Sequence, residues 1–241
     1  MTITTFLLDL DNTLLGNSMD TFLPPYFAGL EQCFSHAVDT QQVRQVMFEA
    51  VRSAQAKNNS KTNLYDHFLT AFAQGLDLSL STTQNILNTF YQEVYPKLQQ
   101  YTTPYPEAKE VVQLLLTQGY KVVIATNPLF PATAIQQRLA WAGVQHFPFT
   151  LVTTMENSTF SKSNKNYYRE ILDKIESTPH ECWMVGDDPQ NDIYPAHAVG
   201  LKTWWITDNT QDTTTPCNKQ GTLTDFLAWV KRDRTVTPDQ E

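Results

Sequence analysis

Short apolar runs recur along the chain and alternate with longer stretches of helical periodicity. The runs are rich in Val, Ile, Leu, Phe or Trp and predict strands buried on both faces, as in a parallel sheet. The predicted strands are 3–8, 121–125, 149–153, 182–185 and 202–206, and the predicted helices outside residues 16–102 are 105–116, 131–141, 164–175, 190–198 and 222–232. This alternation is typical of βαβ units and predicts an α/β fold built on a doubly wound parallel sheet.

Residues 16–102, called the inserted segment below, carry no strand-like run. Apolar residues at spacings of three and four predict helices near 24–38, 41–55, 63–74 and 83–98. The pattern therefore predicts a core domain of residues 1–15 and 103–241 with an all-helical domain of residues 16–102 inserted into it. Because the insertion follows the first strand directly, we expect it to fold over the sheet edge as a lid. The polar stretch 207–221 predicts a surface loop.

Composition narrows the class of protein. The 241 residues are 41% hydrophobic and 17% charged, which is ordinary for a globular protein. The net charge of -8 disfavours nucleic acid as a partner. No signal peptide and no run of about 18 apolar residues is seen, so we expect no membrane partner and a cytoplasmic location. Three scattered cysteines predict no disulfide, and a monomer and a homodimer both remain open.

Two acids end the first predicted strand, in the sequence Asp9-Leu10-Asp11. Carboxylates this close repel each other, and either a cation between them or a proton on one relieves the repulsion. Both outcomes are useful in catalysis. A structural interpretation stands beside this one, in which Asp11 or Asn12 caps a helix after a strand-ending turn.

Two further polar patches follow along the chain. Thr126 and Asn127 end the strand 121–125, where they are suited either to binding a phosphoryl oxygen or to starting a turn. Lys162 and Lys165 stand at the start of a predicted helix, where a lysine either neutralises an anion at the sheet edge or is merely solvated.

The last patch is an acid cluster after the strand 182–185. Gly186 permits a sharp turn, and Asp187, Asp188 and Asp192 supply hard oxygen ligands of the kind that Mg²⁺ prefers. Helix capping by Asp187 or Asp188 is the alternative.

The order of these patches, an acid pair, a hydroxyl, a lysine and an acid cluster, resembles the four motifs of the haloacid dehalogenase superfamily. The resemblance covers nearly the whole chain, including a helical insertion after the first motif, the arrangement called a C1 cap. It is strongest to the phosphatase branch and implies a Rossmann-like core.

The resemblance also implies roles for particular residues. Lys162 lies six residues before Tyr168, the family's spacing from lysine to aromatic, although Ser163 replaces the usual proline, so we favour Lys162 over Lys165. Asp187 and Asp188 both remain candidates for one metal ligand. The implied roles are Asp9 as nucleophile, Asp11 as general acid and base, Thr126, Asn127 and Lys162 as phosphoryl-binding groups, Asp9, Asp187 and the backbone carbonyl of Asp11 as Mg²⁺ ligands, and Asp188 and Asp192 as supports behind them.

The resemblance implies a Mg²⁺-dependent phosphomonoester hydrolase that acts on a small phosphorylated metabolite, a sugar phosphate or a nucleotide, through an aspartyl phosphate. Asp11 disfavours dehalogenation, because a halide leaves without a proton. A sugar phosphomutase keeps both acids and remains an alternative. A phosphate-binding regulatory module without turnover is the alternative from another class.

Overall fold

The strands and helices are those of a computed structural model. It describes residues 2–56, 61–209, 211 and 214–232. Outside the described part lie residues 1, 210, 212–213 and 233–241 of the predicted core domain and residues 57–60 of the inserted segment. The strands in chain order are β1 (Thr5–Leu8), β2 (Leu15–Asn17), β3 (Thr102–Pro104), β4 (Lys121–Ile124), β5 (Leu151–Val152), β6 (Cys182–Gly186), β7 (Lys202–Ile206) and β8 (Lys219–Gly221).

The helices cluster in two groups, one within the inserted segment and one around the sheet. Short helical turns extend or precede some of them, at Phe90–Val94, Tyr95–Tyr101, Pro179–Glu181 and Pro189–Ile193. The α-helices are α1 (Met19–Phe34), α2 (Thr40–Gln55), α3 (Leu64–Gly75), α4 (Leu80–Thr89), α5 (Ala108–Thr117), α6 (Ala132–Trp141), α7 (Lys165–Ile175), α8 (Tyr194–Val199) and α9 (Leu223–Arg232).

Six parallel strands form the main sheet, in the order β5-β4-β1-β6-β7-β8. The chain winds outward from β1 through β4 to β5, and then returns to the other side of β1 at β6. The strand order therefore reverses between β1 and β6, which is where doubly wound sheets bind their ligands. The predicted α/β fold with a doubly wound parallel sheet is confirmed.

The sheet is covered on both faces, as the continuous apolar runs predict. Successive residues of β1 point to opposite sides: Phe6 and Leu8 pack into one apolar cluster, and Leu7 packs into a second. The first cluster includes residues of α5, α6 and α9 and extends without interruption into the inserted segment. The second is formed with α7 and α8. Burial of these side chains fixes the strand ends that carry the polar patches.

The inserted segment packs directly against the core through aromatic side chains and backbone hydrogen bonds. Tyr26 and Tyr95, from the inserted segment, both make edge or tilted ring contacts with Phe130 of the core. At the start of α3, the N–H groups of Leu64 and Tyr65 donate to carbonyl oxygens of residues 158 and 155, at 2.9 and 3.0 Å. These contacts hold the segment over the carboxyl edge of the sheet.

Several sequence predictions need correction. The inserted segment is not wholly helical, because its ends form an antiparallel ribbon in which β2 pairs with β3. The stretch 207–221 is not all loop, since its last three residues form β8 beside β7. An edge strand pairs on one side only and needs no apolar run. The sequence of Lys219–Gly221 therefore did not predict a strand. The predicted strand 149–153 is reduced to the two residues of β5, and the helix predicted over 190–198 starts as a π-helical turn before α8.

In residues 2–56, 61–209 and 214–232, no helix has the length and apolar character needed to cross a membrane. Cys33, Cys182 and Cys217 form no disulfide within the part of the chain that is described.

Candidate active site

Strand register brings the polar patches to one edge of the sheet. Leu8 of β1 lies opposite Ile124 of β4 and Val185 of β6. Asp9 is the next residue after β1, and its N–H donates to the carbonyl oxygen of Val185 at 2.9 Å. The patches after β4 and β6 therefore flank Asp9 at the point where the strand order reverses.

Asp9 shares a buried ammonium group with Asp192. Lys162 Nζ contacts Asp9 Oδ1 and lies 2.5 Å from Asp192 Oδ1. The side chains of Lys162, Asp9 and Asp192 are only 2%, 8% and 1% exposed. Lys165, by contrast, is exposed at the first turn of α7. The geometry thus places one of the two candidate lysines in the site and the other on the surface.

The side chains of Asp187 and Asp188 also differ in their contacts. The Asp188 carboxylate accepts hydrogen bonds from the N–H groups of Gln190 and Asn191, at 2.8 and 3.3 Å, and caps the helical turn that follows. Asp187 has no such capping role, and its carbonyl oxygen accepts a hydrogen bond from Trp205 Nε1 at 2.8 Å. Asp188 instead supports the site through its backbone.

Three carboxylates converge beside Lys162. Asp9, Asp187 and Asp192 each offer an oxygen, and these oxygens lie within 4.8 Å of one another. Asp192 Oδ2 accepts the N–H of Asp188 at 3.0 Å, and its other oxygen pairs with Lys162. Asp192 is therefore held on both sides, whereas Asp9 and Asp187 are better placed to contact a cation.

Burial makes this cluster costly to charge. Burial raises the pKa of Asp9 well above its usual value, and Lys162 opposes that shift. Burial, reinforced by Asp192, raises the pKa of Asp187 to about 7. For Lys162 burial acts against the charge, but Asp192 and Asp9 more than compensate and raise its pKa. The carboxylates outnumber the cation, so a proton or a metal ion stabilises the cluster.

Asp11 points to a different partner, Arg138 of α6. Arg138 Nε donates to Asp11 Oδ1 at 3.0 Å, and Nη2 contacts the same oxygen. Arg138 Nη1 donates to the hydroxyl of Tyr95 at 3.0 Å. The Arg138 side chain is fully buried, and that of Asp11 is 20% exposed. Between Asp11 and α1, Asn12 takes a left-handed φ of 58°, and its side-chain oxygen accepts the N–H of Asn17.

Buried hydrogen bonds hold Thr126 and Asn127 after β4. The carbonyl oxygen of Thr126 accepts bonds from the hydroxyls of Thr153 and Tyr167, both at 2.8 Å. The side-chain oxygen of Asn127 accepts the N–H of Lys162 at 3.3 Å. The loop after β4 and the loop that carries the lysine are thereby fixed to each other.

The structure therefore brings together Asp9, Lys162, Asp187 and Asp192, with the loop after β4 beside them. Sequence reasoning missed Arg138, which belongs to no motif. A signal was available: Arg138 falls on the apolar face of α6 together with Ala134, Ile135, Leu139 and Trp141. A charged residue on such a face needs a buried partner of opposite charge.

Comparisons with known proteins bear on this arrangement. The family model for haloacid dehalogenase-like hydrolases matches residues 3–200. A pyrophosphatase, PpaX, from Bacillus pumilus (strain SAFR-032) is 27% identical over 202 residues, which are 84% of this chain and 82% of that protein.

Two solved structures show the same fold at low sequence identity. A haloacid dehalogenase phosphatase from Thermococcus onnurineus superposes with a TM-score of 0.61 at 18% identity, covering 95% of this chain and 98% of that one. A 2-haloacid dehalogenase from Pseudomonas syringae pv. Tomato DC3000 superposes with a TM-score of 0.67 at 16% identity, covering 96% and 99%.

The chain belongs to the haloacid dehalogenase-like hydrolases, and the resemblance predicted from its motifs is confirmed. The prediction of an enzyme of this hydrolase superfamily is confirmed with it. Since the fold is shared by a phosphatase and a dehalogenase, the fold does not choose between their chemistries. The side chains of the site must do so.

Proposed function

We propose that this protein is a Mg²⁺-dependent phosphomonoester hydrolase that acts on a small phosphorylated metabolite, a sugar phosphate or a nucleotide, through an aspartyl phosphate. The observation that carries the proposal is the convergence of Asp9, Asp187 and Lys162 at the switch point of the sheet. The presence of Asp11 favours phosphate esters over organic halides, because an alkoxide leaving group needs a proton.

The donor set suits a divalent cation of hard character. The cluster holds three carboxylates, of Asp9, Asp187 and Asp192, against the single cation Lys162, while Asp11 pairs with Arg138. Two negative charges remain formally unbalanced. Asp9, Asp187 and the main-chain carbonyl of Asp11 would hold the ion, with all ligands being oxygens, as Mg²⁺ prefers. When bound, the ion would offset negative charge on the phosphoryl group during attack by Asp9.

In the first step a carboxylate oxygen of Asp9 bonds to phosphorus, and the bond from phosphorus to the leaving oxygen breaks. Asp11 gives its proton to that oxygen. In the second step Asp11 takes a proton from water, the water oxygen bonds to phosphorus, and the bond to Asp9 breaks. Inorganic phosphate and the free alcohol are the products.

Lys162 limits the repulsion between the anionic nucleophile and the anionic ester, because its ammonium group lies against Asp9. Thr126 and Asn127 bind phosphoryl oxygens from the loop after β4. We propose that the inserted segment, residues 16–102, acts as the cap domain that excludes water and selects the leaving group. The proposal retains the predicted cytoplasmic location, and gel filtration would separate a monomer from a homodimer.

The test is release of inorganic phosphate from a panel of sugar phosphates, nucleotides and p-nitrophenyl phosphate, with inorganic pyrophosphate added because a relative is a pyrophosphatase. We expect turnover that requires Mg²⁺ and is abolished by Asp9→Asn and by excess chelator. The matched control is Asp188→Asn, which keeps the helix cap and should keep turnover. Full activity in Asp9→Asn would overturn the mechanism.

The panel also separates the two alternatives. A phosphomutase would move the phosphoryl group between positions of a sugar phosphate and release little inorganic phosphate. A regulatory module would bind phosphorylated ligands without changing them. Either result would replace the proposed hydrolase.

A further inference from the structure

The Arg138 guanidinium is buried where the inserted segment meets the core. Phe22 of the inserted segment lies with its ring centroid 5.0 Å from the guanidinium carbon, and Phe130 and Trp141 of the core lie at 5.4 and 5.9 Å. The hydroxyl of Tyr95 accepts a hydrogen bond from Nη1. Aromatic faces and one hydroxyl thus surround the cation from both parts of the chain.

A buried guanidinium is retained only when its charge is satisfied. Burial acts against the charge, but the Asp11 carboxylate and Tyr95 outweigh it, so the pKa of Arg138 is raised. The side chain is therefore a fixed cation with little freedom to move. Its planar fork sets the direction of the groups it binds.

Both contacts of the fork with Asp11 end on one oxygen, Oδ1. This leaves Oδ2 as the oxygen that holds or takes the proton in the proposed reaction. A rotation of the Asp11 side chain would break a charge-assisted pair, so the carboxyl group is held in one orientation. Asp11 lies between β1 and β2, so the pair with Arg138 restricts a side chain that no strand or helix holds.

We propose that Arg138 is a positioning residue that holds the Asp11 carboxyl group for proton transfer, and that Tyr95 of the inserted segment in turn holds Arg138. The inference rests on the proposed function, since it assigns proton transfer to Asp11. It adds that the seating of the inserted segment determines how well Asp11 is oriented.

The test uses a series of substituted phenyl phosphates whose phenols differ in pKa, and measures kcat/KM for each. A phenol of low pKa leaves without help, whereas a phenol of high pKa needs a proton from Asp11. Loss of positioning therefore steepens the fall of log kcat/KM with leaving-group pKa. Loss of structural integrity alone lowers kcat/KM by the same factor for every substrate.

We expect Arg138→Met, which keeps a long apolar stem among the aromatic rings, to lose on the order of 100-fold in kcat/KM on phenyl phosphate. On p-nitrophenyl phosphate the loss should be only a few-fold by the same reasoning. Tyr95→Phe removes a single hydroxyl and should change the slope in the same direction by a smaller amount. It keeps the test open if Arg138→Met does not fold.

Tyr91→Phe is the matched control. The Tyr91 hydroxyl is buried in the same aromatic cluster and bonds to the hydroxyl of Tyr26 at 2.9 Å. Its removal costs a comparable buried hydrogen bond but removes neither Asp11 nor Tyr95, the hydrogen-bond partners of Arg138. We expect its slope to equal that of the wild type.

Unchanged slopes in Arg138→Met and Tyr95→Phe, with a steeper slope in Asp11→Asn, would overturn the positioning role and leave the proposed function standing. A wild-type protein that hydrolyses none of the esters, or one whose activity survives Asp9→Asn, would overturn the proposed function and this inference together.

Discussion

The ammonium group of Lys162 lies 2.5 Å from Asp192 Oδ1, and both side chains are almost completely buried. Asp9 Oδ1 contacts the same ammonium group. One cation thus joins Asp9, the residue proposed as nucleophile, to Asp192, which lies 183 positions later in the chain. We therefore expect the lysine to affect stability as well as the proposed chemistry.

We predict that Lys162→Met lowers the free energy of unfolding of the metal-free protein by about 3–5 kcal/mol at pH 8, because it leaves buried carboxylates without their cation. The cost should shrink at pH 5, where those carboxylates take up protons more readily. Urea unfolding at the two pH values measures it. Lys165→Met, at an exposed position, should change stability by no more than about 0.5 kcal/mol. Equal effects from the two lysines would contradict the assignment.

We predict that substitutions of Asp187 and Asp188 have opposite effects on Mg²⁺ binding. Asp187→Asn should abolish Mg²⁺ binding measured by titration calorimetry, yet raise the stability of the metal-free protein at pH 8, because a partly buried carboxylate with a raised pKa is replaced by a neutral amide. Asp188→Asn should keep Mg²⁺ binding, since an asparagine also caps the turn. Asp188→Ala should cost about 1 kcal/mol through loss of the cap. Loss of Mg²⁺ binding in Asp188→Asn alone would reverse the two assignments.

The pKa of Asp187 also predicts a pH dependence. Its value of about 7 in the folded protein lies above the ordinary value of 3.8, so the folded state binds the proton more tightly than the unfolded state does. This contribution to stability is present below about pH 4 and is lost as pH rises through 7. In excess chelator, the group should therefore destabilise the protein progressively between those values.

Mg²⁺ should reverse that trend, because the ion competes with the proton for the same carboxylates. We expect the increase in melting temperature caused by saturating Mg²⁺ to grow from pH 5 to pH 8. Asp187→Asn is the control, and its melting temperature should not respond to Mg²⁺ at either pH. An Mg²⁺ effect that weakens as pH rises would count against the site.

Gly186, the last residue of β6, leaves no room for a larger side chain. A Cβ at this position would overlap the carboxylate of Asp192, which in turn holds Lys162. We expect Gly186→Ala to cost about 1–3 kcal/mol, as overpacking does, and to reduce phosphatase activity severely. Thermal unfolding and phosphate release measure the two effects. Met184→Leu, a volume-conserving change in the same strand, should cost less than about 1.5 kcal/mol and keep activity.

Local sequence was enough to predict the core of the fold. The strands β1, β4, β6 and β7 are runs of apolar residues because both faces of a parallel sheet are covered. A run of this kind predicts a strand without knowledge of the strands beside it. The polar residues that end β1, β4 and β6 could likewise be predicted to meet, because the carboxyl ends of parallel strands share one edge. The ribbon of β2 and β3 and the edge strand β8 could not be predicted, because they form by pairing with residues that lie far away in the sequence.

The sequence by itself determined which kinds of side chain stand at the end of each strand, and thereby the family and the candidate chemistry. Only the tertiary structure shows that Lys162 is buried against Asp9 while Lys165 is exposed, and that Asp187 lies beside Asp9 while Asp188 caps a turn, since neighbours with the same chemistry differ only in what surrounds them. It also supplied Arg138, whose partner Asp11 lies 127 residues away. The physical reason is that burial and charge pairing depend on contacts across the fold, whereas strand and turn preferences act within a few residues.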